Sequence, residues 1–130
     1  MKLGAYPGAA AIFVAIVSLV PAPAAPAQEK PSRIVSLIPA VTEMLFAMGA
    51  GAQVAAVSSF DHFPPEAEKL PRVGALVDPD LERILSLRPD LVAIYGSQTD
   101  LRTQLERAGV PLYVYRHAGL ADITQTIRAL

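Results

Sequence analysis

The chain has 130 residues, no cysteine and a formal net charge of −1 at pH 7. This composition excludes disulfides and thiolate metal sites, and the lack of a basic excess argues against a nucleic-acid-binding protein. The hydrophobic content of 52% is inflated by an apolar segment near the N-terminus, so it does not indicate a membrane protein.

Residues 1–27 have the features of a cleaved export signal. Lys2 supplies a positive start, residues 9–20 form an apolar run, and residues 25–27 fit a small-residue cleavage site. The run is shorter than the roughly 20 residues that a membrane-spanning helix needs, so we interpret it as a signal peptide rather than an anchor. No cysteine follows it to carry a lipid. The sequence therefore predicts a soluble periplasmic protein formed by residues 28–130.

These remaining residues alternate between strand and helix patterns. Strands spaced about 20 residues apart with helices between them imply parallel strands joined by right-handed crossovers. We therefore predict an α/β fold, in which a single lobe holds a four-stranded, mainly parallel sheet flanked by helices. The predicted strands are residues 33–37, 54–58, 91–94 and 112–115, and the predicted helices are residues 40–48, 79–88, 98–108 and 122–130.

The second predicted helix has the clearest start signal. Asp78 at the N-cap can accept a hydrogen bond from a free backbone N–H, and Pro79 at the first helical position loses no hydrogen bond. Before this start, residues 59–74 form a long irregular segment interrupted by prolines.

This topology predicts where a ligand would bind. In an open parallel sheet, ligands bind beyond the carboxyl ends of the strands, where loops and helix N-termini converge. The loops predicted there carry mostly aromatic and hydrogen-bonding side chains, which suit a large ligand with flat apolar faces and a polar rim. The candidate ligand-binding residues are Pro39, Thr42, Phe60, His62, Tyr95 and Arg116.

Several of these residues have a structural alternative. Phe60 and the nearby Phe63 could contact ligand or could pack the long loop onto the sheet. His62 and His117 could bind a metal, but two loop histidines without paired spacing are more typical of exposed residues, so no metal site is assigned. Arg116 could bind an anionic group of the ligand or form a surface salt bridge.

No catalytic residue is predicted. Asp61 and His62 could form a catalytic dyad, but the sequence shows neither a nucleophile signature nor a third, orienting group beside them. We therefore expect a binding protein that is not an enzyme and uses no cofactor.

Three ordered blocks resemble the N-terminal lobe of class III periplasmic binding proteins, which deliver cobalamin and iron complexes to ABC importers. They are RIVSLIPAVTEMLFAMGAG at residues 33–51, SSFDHFPPEAEKLPRVG at residues 58–74 and DLERILSLRPDLVAIYG at residues 80–96. The resemblance implies a substrate-binding component of an importer. It would capture a cobalt corrinoid, haem or a ferric siderophore in a cleft between two lobes and then dock on the permease.

Within this family the chain is most similar to the cobalamin-binding members, and this resemblance implies roles for three residues. Phe60 matches the loop aromatic that lies against the corrin, and Tyr95 stands where this subgroup has a cleft tryptophan. Glu82 matches the glutamate that pairs with arginines of the permease. Its structural alternative is stabilisation of the first turn of its own helix by a negative charge.

Three departures from the cobalamin pattern leave other ligands open. His62 stands where a small acidic residue is common, Leu76 where another aromatic is found, and Arg116 where an aspartate is expected. A histidine suits iron ligation and an arginine suits an anionic rim. Haem or a carboxylate-bearing siderophore is therefore the alternative ligand.

The resemblance covers one lobe, whereas family members have a second lobe of similar size. We therefore expect a truncated chain that binds its ligand weakly, because a cleft that buries most of its ligand needs both walls. The expected partners are an ABC importer permease and a small-molecule metal chelate. Nucleic acid and stable membrane insertion after signal cleavage are not expected, and the chain is expected to be a monomer. The alternative function is that of an exported interaction domain without transport activity.

Overall fold

The computed structural model describes Gly4, residues 29–116 and residues 119–130. Apart from Gly4, the predicted signal peptide at residues 1–27 lies outside the described residues, as does His117. Among the residues that are described, no helix combines the length and the apolar character needed to cross a membrane.

The described residues form one α/β lobe around a four-stranded sheet. All strand pairs are parallel, and the strands lie in the order β2-β1-β3-β4. The prediction of a four-stranded, mainly parallel sheet is therefore confirmed. The strands are β1 (Ile34–Ser36), β2 (Val54–Val57), β3 (Leu91–Tyr95) and β4 (Leu112–Tyr115).

Helices cover both faces of the sheet, as a parallel sheet requires. Alternate residues of a strand point to opposite faces, and Ile34 and Val35 accordingly belong to different buried clusters. The Val35 cluster packs under the second and third helices, and the Ile34 cluster packs under the first. The helices are α1 (Pro39–Ala47), α2 (Leu81–Ser86), α3 (Thr99–Arg107) and α4 (Leu120–Ala129), with 3₁₀ turns at Gly51–Gln53 and Pro65–Lys69.

The start of α2 differs from the sequence prediction. Asp80, not Asp78, is the N-cap, and its carboxylate accepts a hydrogen bond of 2.9 Å from the Arg83 N–H. Pro79 lies before the helix, in an isolated antiparallel bridge with Gly74. Asp78 and Pro79 therefore belong to the preceding turn, and the cap lies two residues later than predicted.

The irregular segment after β2 returns along the outer edge of that strand. The Val57 N–H donates to the Pro71 carbonyl at 3.0 Å, and the Val73 N–H donates to the Val57 carbonyl at 3.1 Å. These bonds place the following turn, which begins at Gly74, beside the carboxyl end of the sheet. The segment thus covers one sheet edge and brings distant residues to the strand ends.

Candidate functional site

A concave surface of about 450 Å³ lies at the carboxyl ends of the strands, where the topology predicts ligand binding. Three strands lead into it, because Leu37 follows β1, Ser58 follows β2 and Tyr95 ends β3. We call this surface the strand-end cavity. It is mainly apolar and is lined by Leu37, Pro39, Ser58, Phe60, Ala75, Leu76, Val77, Asp78 and Tyr95.

The turn that carries Phe60 is held by a network of buried hydrogen bonds. The Ser58 N–H and hydroxyl both donate to one carboxylate oxygen of Asp61, and the Asp61 side chain is completely buried. The guanidinium of Arg72 donates to the carbonyls of Ser58 and Asp61, at 2.8 and 2.6 Å. The Phe60 side chain itself is 67% exposed. Its position is therefore fixed by the backbone of the turn rather than by burial of the ring.

The other oxygen of the Asp61 carboxylate is also buried, and it has no hydrogen-bond partner among the described residues. A buried acceptor of this kind normally has a partner, because leaving it unpaired is unfavourable. One carboxylate oxygen of Asp61 thus accepts two hydrogen bonds, and the other accepts none from the described residues.

A second turn contributes Leu76 and Val77 to the lining of the cavity. Gly74 has a φ of 86°, which a residue with a side chain rarely adopts, and its carbonyl accepts a hydrogen bond of 2.8 Å from Ser59. The Gln98 amide group donates to the Leu76 carbonyl at 3.1 Å, and its side-chain oxygen accepts from the Tyr95 N–H at 3.0 Å. Gln98 therefore ties this turn to the end of β3.

Tyr95 forms the third wall and is half-buried. Its ring meets that of Tyr115 edge to face, with centroids 6.2 Å apart and an angle of 74° between the planes. Burial raises the pKa of the Tyr95 phenol above its ordinary value of 10.0, and Tyr115 and Asp61 raise it further. The phenol is therefore neutral at physiological pH and can donate a hydrogen bond to a ligand.

The structure brings three of the six predicted ligand-binding residues together, namely Pro39, Phe60 and Tyr95. Thr42 does not line the cavity. The predicted helix at residues 40–48 already contains it, and in the structure α1 begins at Pro39 and includes it. Its side chain is fully buried, and its hydroxyl donates to the Ile38 carbonyl at 3.3 Å. The hydroxyl thus bonds back to the carbonyl four residues earlier, at the start of its own helix.

The remaining predicted residues lie away from the strand-end cavity. His62 is exposed, with its ring 3.9 Å from the Glu68 carboxylate. Arg116 is exposed and lines a separate, more polar cavity of about 520 Å³ between β4 and α4. Glu82 is exposed in the first turn of α2. The ligand contacts of His62 and Arg116 and the docking role of Glu82 stay predictions.

Two parts of this site were not among the candidate residues. Leu76 was noted only as a departure from the cobalamin pattern, and Val77 is an aliphatic turn residue that no sequence pattern distinguishes from ordinary loop residues. The supporting network did have a local signal, because a serine three residues before an aspartate is typical of side-chain hydrogen bonds that close a turn. Ser58 and Asp61 fit that pattern, and the distant Arg72 completes it.

The chemistry of the cavity favours apolar contact over metal ligation. Within the described ranges, no group of three or more His, Cys, Asp or Glu side chains is placed to hold a metal ion. The polar groups of the lining are those of Ser58, Asp78 and Tyr95, and the Ser58 hydroxyl is already donated to Asp61. The surface is suited to a large, flat, apolar ligand face with few hydrogen bonds.

Comparisons with known proteins agree with this geometry. Residues 34–130 match the family model described as periplasmic binding protein. The vitamin B12-binding protein of Pectobacterium carotovorum subsp. carotovorum (strain PC1) is 39% identical over 102 residues, which cover 77% of this chain and 37% of the relative. This chain thus spans less than half the length of that curated relative.

Two solved structures are similar to the lobe. The periplasmic vitamin B12 binding protein BtuF of Vibrio cholerae has 33% identity and a TM-score of 0.72, covering 76% of this chain and 40% of that one. The periplasmic heme-binding protein RhuT from Roseiflexus sp. RS-1 has 39% identity and a TM-score of 0.60, covering 65% and 34%. These relatives are named as binding proteins, not as enzymes.

Proposed function

The chain belongs to the periplasmic binding protein family, and from this premise we propose that it binds a large metal chelate as part of the substrate-binding component of an ABC importer. Cobalamin is the first candidate ligand, because similar proteins are named as vitamin B12-binding proteins. The chain would present one wall of the binding cleft. The periplasm is the proposed location, in keeping with the export signal predicted at residues 1–27.

The observation that carries this proposal is the exposed apolar lining of the strand-end cavity. Phe60 is 67% exposed and Val77 is 92% exposed, so both present apolar surface to solvent. Hydrogen bonds from Arg72 and Gln98 hold the two turns that present them. Apolar side chains held rigidly in solvent are typical of a surface that becomes covered by a ligand.

Haem or a ferric siderophore is the alternative ligand. A relative of the same identity level is named as a heme-binding protein, so the lobe is compatible with more than one flat chelate. Leu76 gives the cavity an aliphatic wall, whereas the resemblance to cobalamin-binding members implies an aromatic residue at this position. An exported interaction domain without transport activity is the second alternative, and it predicts that none of these chelates binds.

Docking on an importer permease is proposed through Glu82. Its carboxylate is exposed on the first turn of α2, where it is free to meet arginines of a partner. The same charge also stabilises the N-terminus of the helix, by ~0.3–1 kcal/mol, so the two roles are compatible. Neither a cofactor nor self-association is part of the proposal, which treats the metal chelate as cargo and the chain as a monomer.

Titration with cyanocobalamin, haemin and a ferric siderophore tests the proposal. We expect saturable changes in the absorbance of one chelate, with a Kd of roughly 10 µM to 1 mM, because an open cavity covers only one ligand face. Saturation by haemin rather than cyanocobalamin would select the haem alternative. Unchanged spectra for all three chelates at millimolar protein would reject the transport proposal in favour of an interaction domain.

A further inference from the structure

A second apolar groove of about 530 Å³ lies away from the strand-end cavity. It runs between the C-terminal half of α1 and the loop that follows the Phe60 turn. We call it the α1 groove. Its floor and walls are formed by Phe46, Ala47, Gly51, Ala52, Phe63 and Pro64.

Two aromatic rings flank the small residues of this groove. Phe63 is 61% exposed, and Phe46 is half-buried. The Phe46 ring packs so closely on Gly51 that a Cβ added at Gly51 would overlap it. The ring is therefore held in place by the 3₁₀ turn after α1. The groove thus offers one aromatic ring that is held in place, Phe46, and one that is largely accessible, Phe63.

Two carboxylates stand at the rim of the groove. Glu43 projects from α1 and Glu66 from the 3₁₀ turn at Pro65–Lys69, and both side chains are exposed. No basic side chain contributes to the lining. Across residues 29–116 and 119–130, neither glutamate forms an ion pair, whereas Glu68 lies 3.9 Å from His62 and Glu106 lies 2.7 Å from Arg102. Among the described residues, neither rim carboxylate is therefore paired with a cation.

The α1 groove and the strand-end cavity share no lining residue. Phe60 and Phe63 belong to one loop, yet each contributes to a different surface. Glu82, the residue proposed to dock on the permease, lines neither of them. Occupation of the α1 groove is thus compatible with a ligand in the strand-end cavity.

We propose that the α1 groove binds a segment of a partner protein in which a lysine or arginine stands beside an apolar side chain. The apolar side chain lies on the floor formed by the small residues. The cation lies over the exposed face of Phe63 and within reach of Glu43 and Glu66, since aromatic faces and carboxylates both attract cations. The charge pattern selects this occupant over an acidic or a neutral segment.

Short peptides provide the probe for this inference. Acetylated and amidated arginine-leucine-arginine is titrated into the ¹⁵N-labelled chain, and its binding is followed by amide chemical shifts. We expect saturating shifts centred on Ala47, Ala52 and Phe63. Glutamate-leucine-glutamate and alanine-leucine-alanine are the matched peptides, and both should bind at least several-fold more weakly because they lack the positive charges.

Variants separate the two parts of the groove. The double variant Glu43→Gln/Glu66→Gln should weaken binding of the basic peptide roughly three- to tenfold, as expected for two exposed charge pairs. Phe63→Leu keeps an apolar wall but removes the aromatic face, and it should weaken binding about two- to fivefold. Glu68→Gln is the matched control, because Glu68 is on the same 3₁₀ turn but does not line the groove, and it should bind like the parent chain.

Several results would overturn the proposal. They are an absence of saturating shifts, shifts centred outside the α1 groove, equal binding of the three peptides, or a double variant that binds the basic peptide as tightly as the parent. The chelate titration is run in parallel with the double variant. An unchanged chelate response there shows that the lobe is intact, so that lost peptide binding is assigned to the groove.

Discussion

Gly74 and Gly109 share a backbone conformation but differ in their surroundings. Their φ angles of 86° and 72° both lie in the left-handed region that favours glycine. A Cβ on Gly74 would overlap the Asp78 carbonyl, whereas a Cβ on Gly109 would have no atom within 4 Å. Gly74 is therefore required by the close approach of the turn as well as by its φ.

This difference gives the first prediction. Gly74→Ala should lower the free energy of unfolding by about 3 kcal/mol or more, and Gly109→Ala by about 1 kcal/mol, because only the first change adds a clash to the unfavourable φ. Urea unfolding monitored by circular dichroism measures both. Equal losses at the two positions would show that the Gly74 turn relaxes without difficulty.

Asp90 joins the start of β1 to the start of β3. One carboxylate oxygen accepts from the N–H and hydroxyl of Ser32, at 2.7 and 2.8 Å, and the other accepts from the Arg33 N–H at 2.8 Å. Partial desolvation alone would raise the pKa of Asp90, but these hydrogen bonds outweigh it and hold the pKa below the ordinary value of 3.8. The ionised carboxylate is thus the form that the fold favours.

The second prediction is a pH-dependent effect of Asp90→Asn. Since the pKa is lower in the folded state, the ionised carboxylate adds stability above about pH 4, and this is lost as pH falls through the folded-state pKa. We expect the variant to be less stable by about 1 kcal/mol at pH 7, a modest value because the group is exposed. Urea unfolding should show a smaller difference in unfolding free energy between Asp90→Asn and the parent at pH 3 than at pH 7. Asp78→Asn, at an exposed carboxylate without such bonds, is the control.

At the scale of elements, α2 depends on its cap because it has only six residues. Short helices gain little from their own hydrogen bonds, so the bond from the Arg83 N–H to Asp80 matters more than in a long helix. We expect Asp80→Ala to lower the unfolding free energy by about 1 kcal/mol and Asp78→Ala by less than about 0.5 kcal/mol. Thermal unfolding of the parent and the two variants measures these losses of stability. A larger loss of unfolding free energy for Asp78→Ala than for Asp80→Ala would indicate that Asp78 is the N-cap, as the sequence pattern predicts.

The elements of the sheet were predictable because their signal is local. Buried parallel strands read as short apolar runs, and β3 and β4 were located to within one residue. The cap of α2 was misplaced because Asp78 and Asp80 carry the same local signal. Asp80 rather than Asp78 is the cap because Pro79 forms a bridge with Gly74. This bridge closes the preceding turn and keeps Pro79 out of the helix.

The site was predictable only where it follows from the strand ends. Phe60 lies three residues after β2 and Tyr95 ends β3, so the topology places both at the cavity. Leu76 and Val77 reach it through hydrogen bonds to a turn from Gln98, which is 22 residues away from Leu76. A contact of that length has no local sequence pattern. Thr42 was predicted within a helix, but its burial away from the cavity depends on packing that the helix pattern alone does not give.

At the scale of the whole molecule, the loop after β2 contributes an aromatic side chain to each of the two proposed binding surfaces. The Phe60 turn is fixed to Arg72 and projects its aromatic ring into the strand-end cavity. Three residues later Phe63 projects into the α1 groove. Because the two rings line surfaces that share no residue, the two proposed binding functions should respond to substitutions independently.

This independence gives the last prediction, a crossed comparison of two variants. Phe60→Ala should weaken chelate binding about tenfold or more, because it removes a large apolar contact, and should leave the arginine-leucine-arginine titration unchanged. Phe63→Leu should weaken peptide binding about two- to fivefold and leave chelate binding unchanged. Absorbance titration and amide shifts measure the two activities on the same samples. If Phe60→Ala weakened both, the loop would act as one unit and the two surfaces would be coupled. A loss confined to chelate binding would instead show that the two surfaces bind independently.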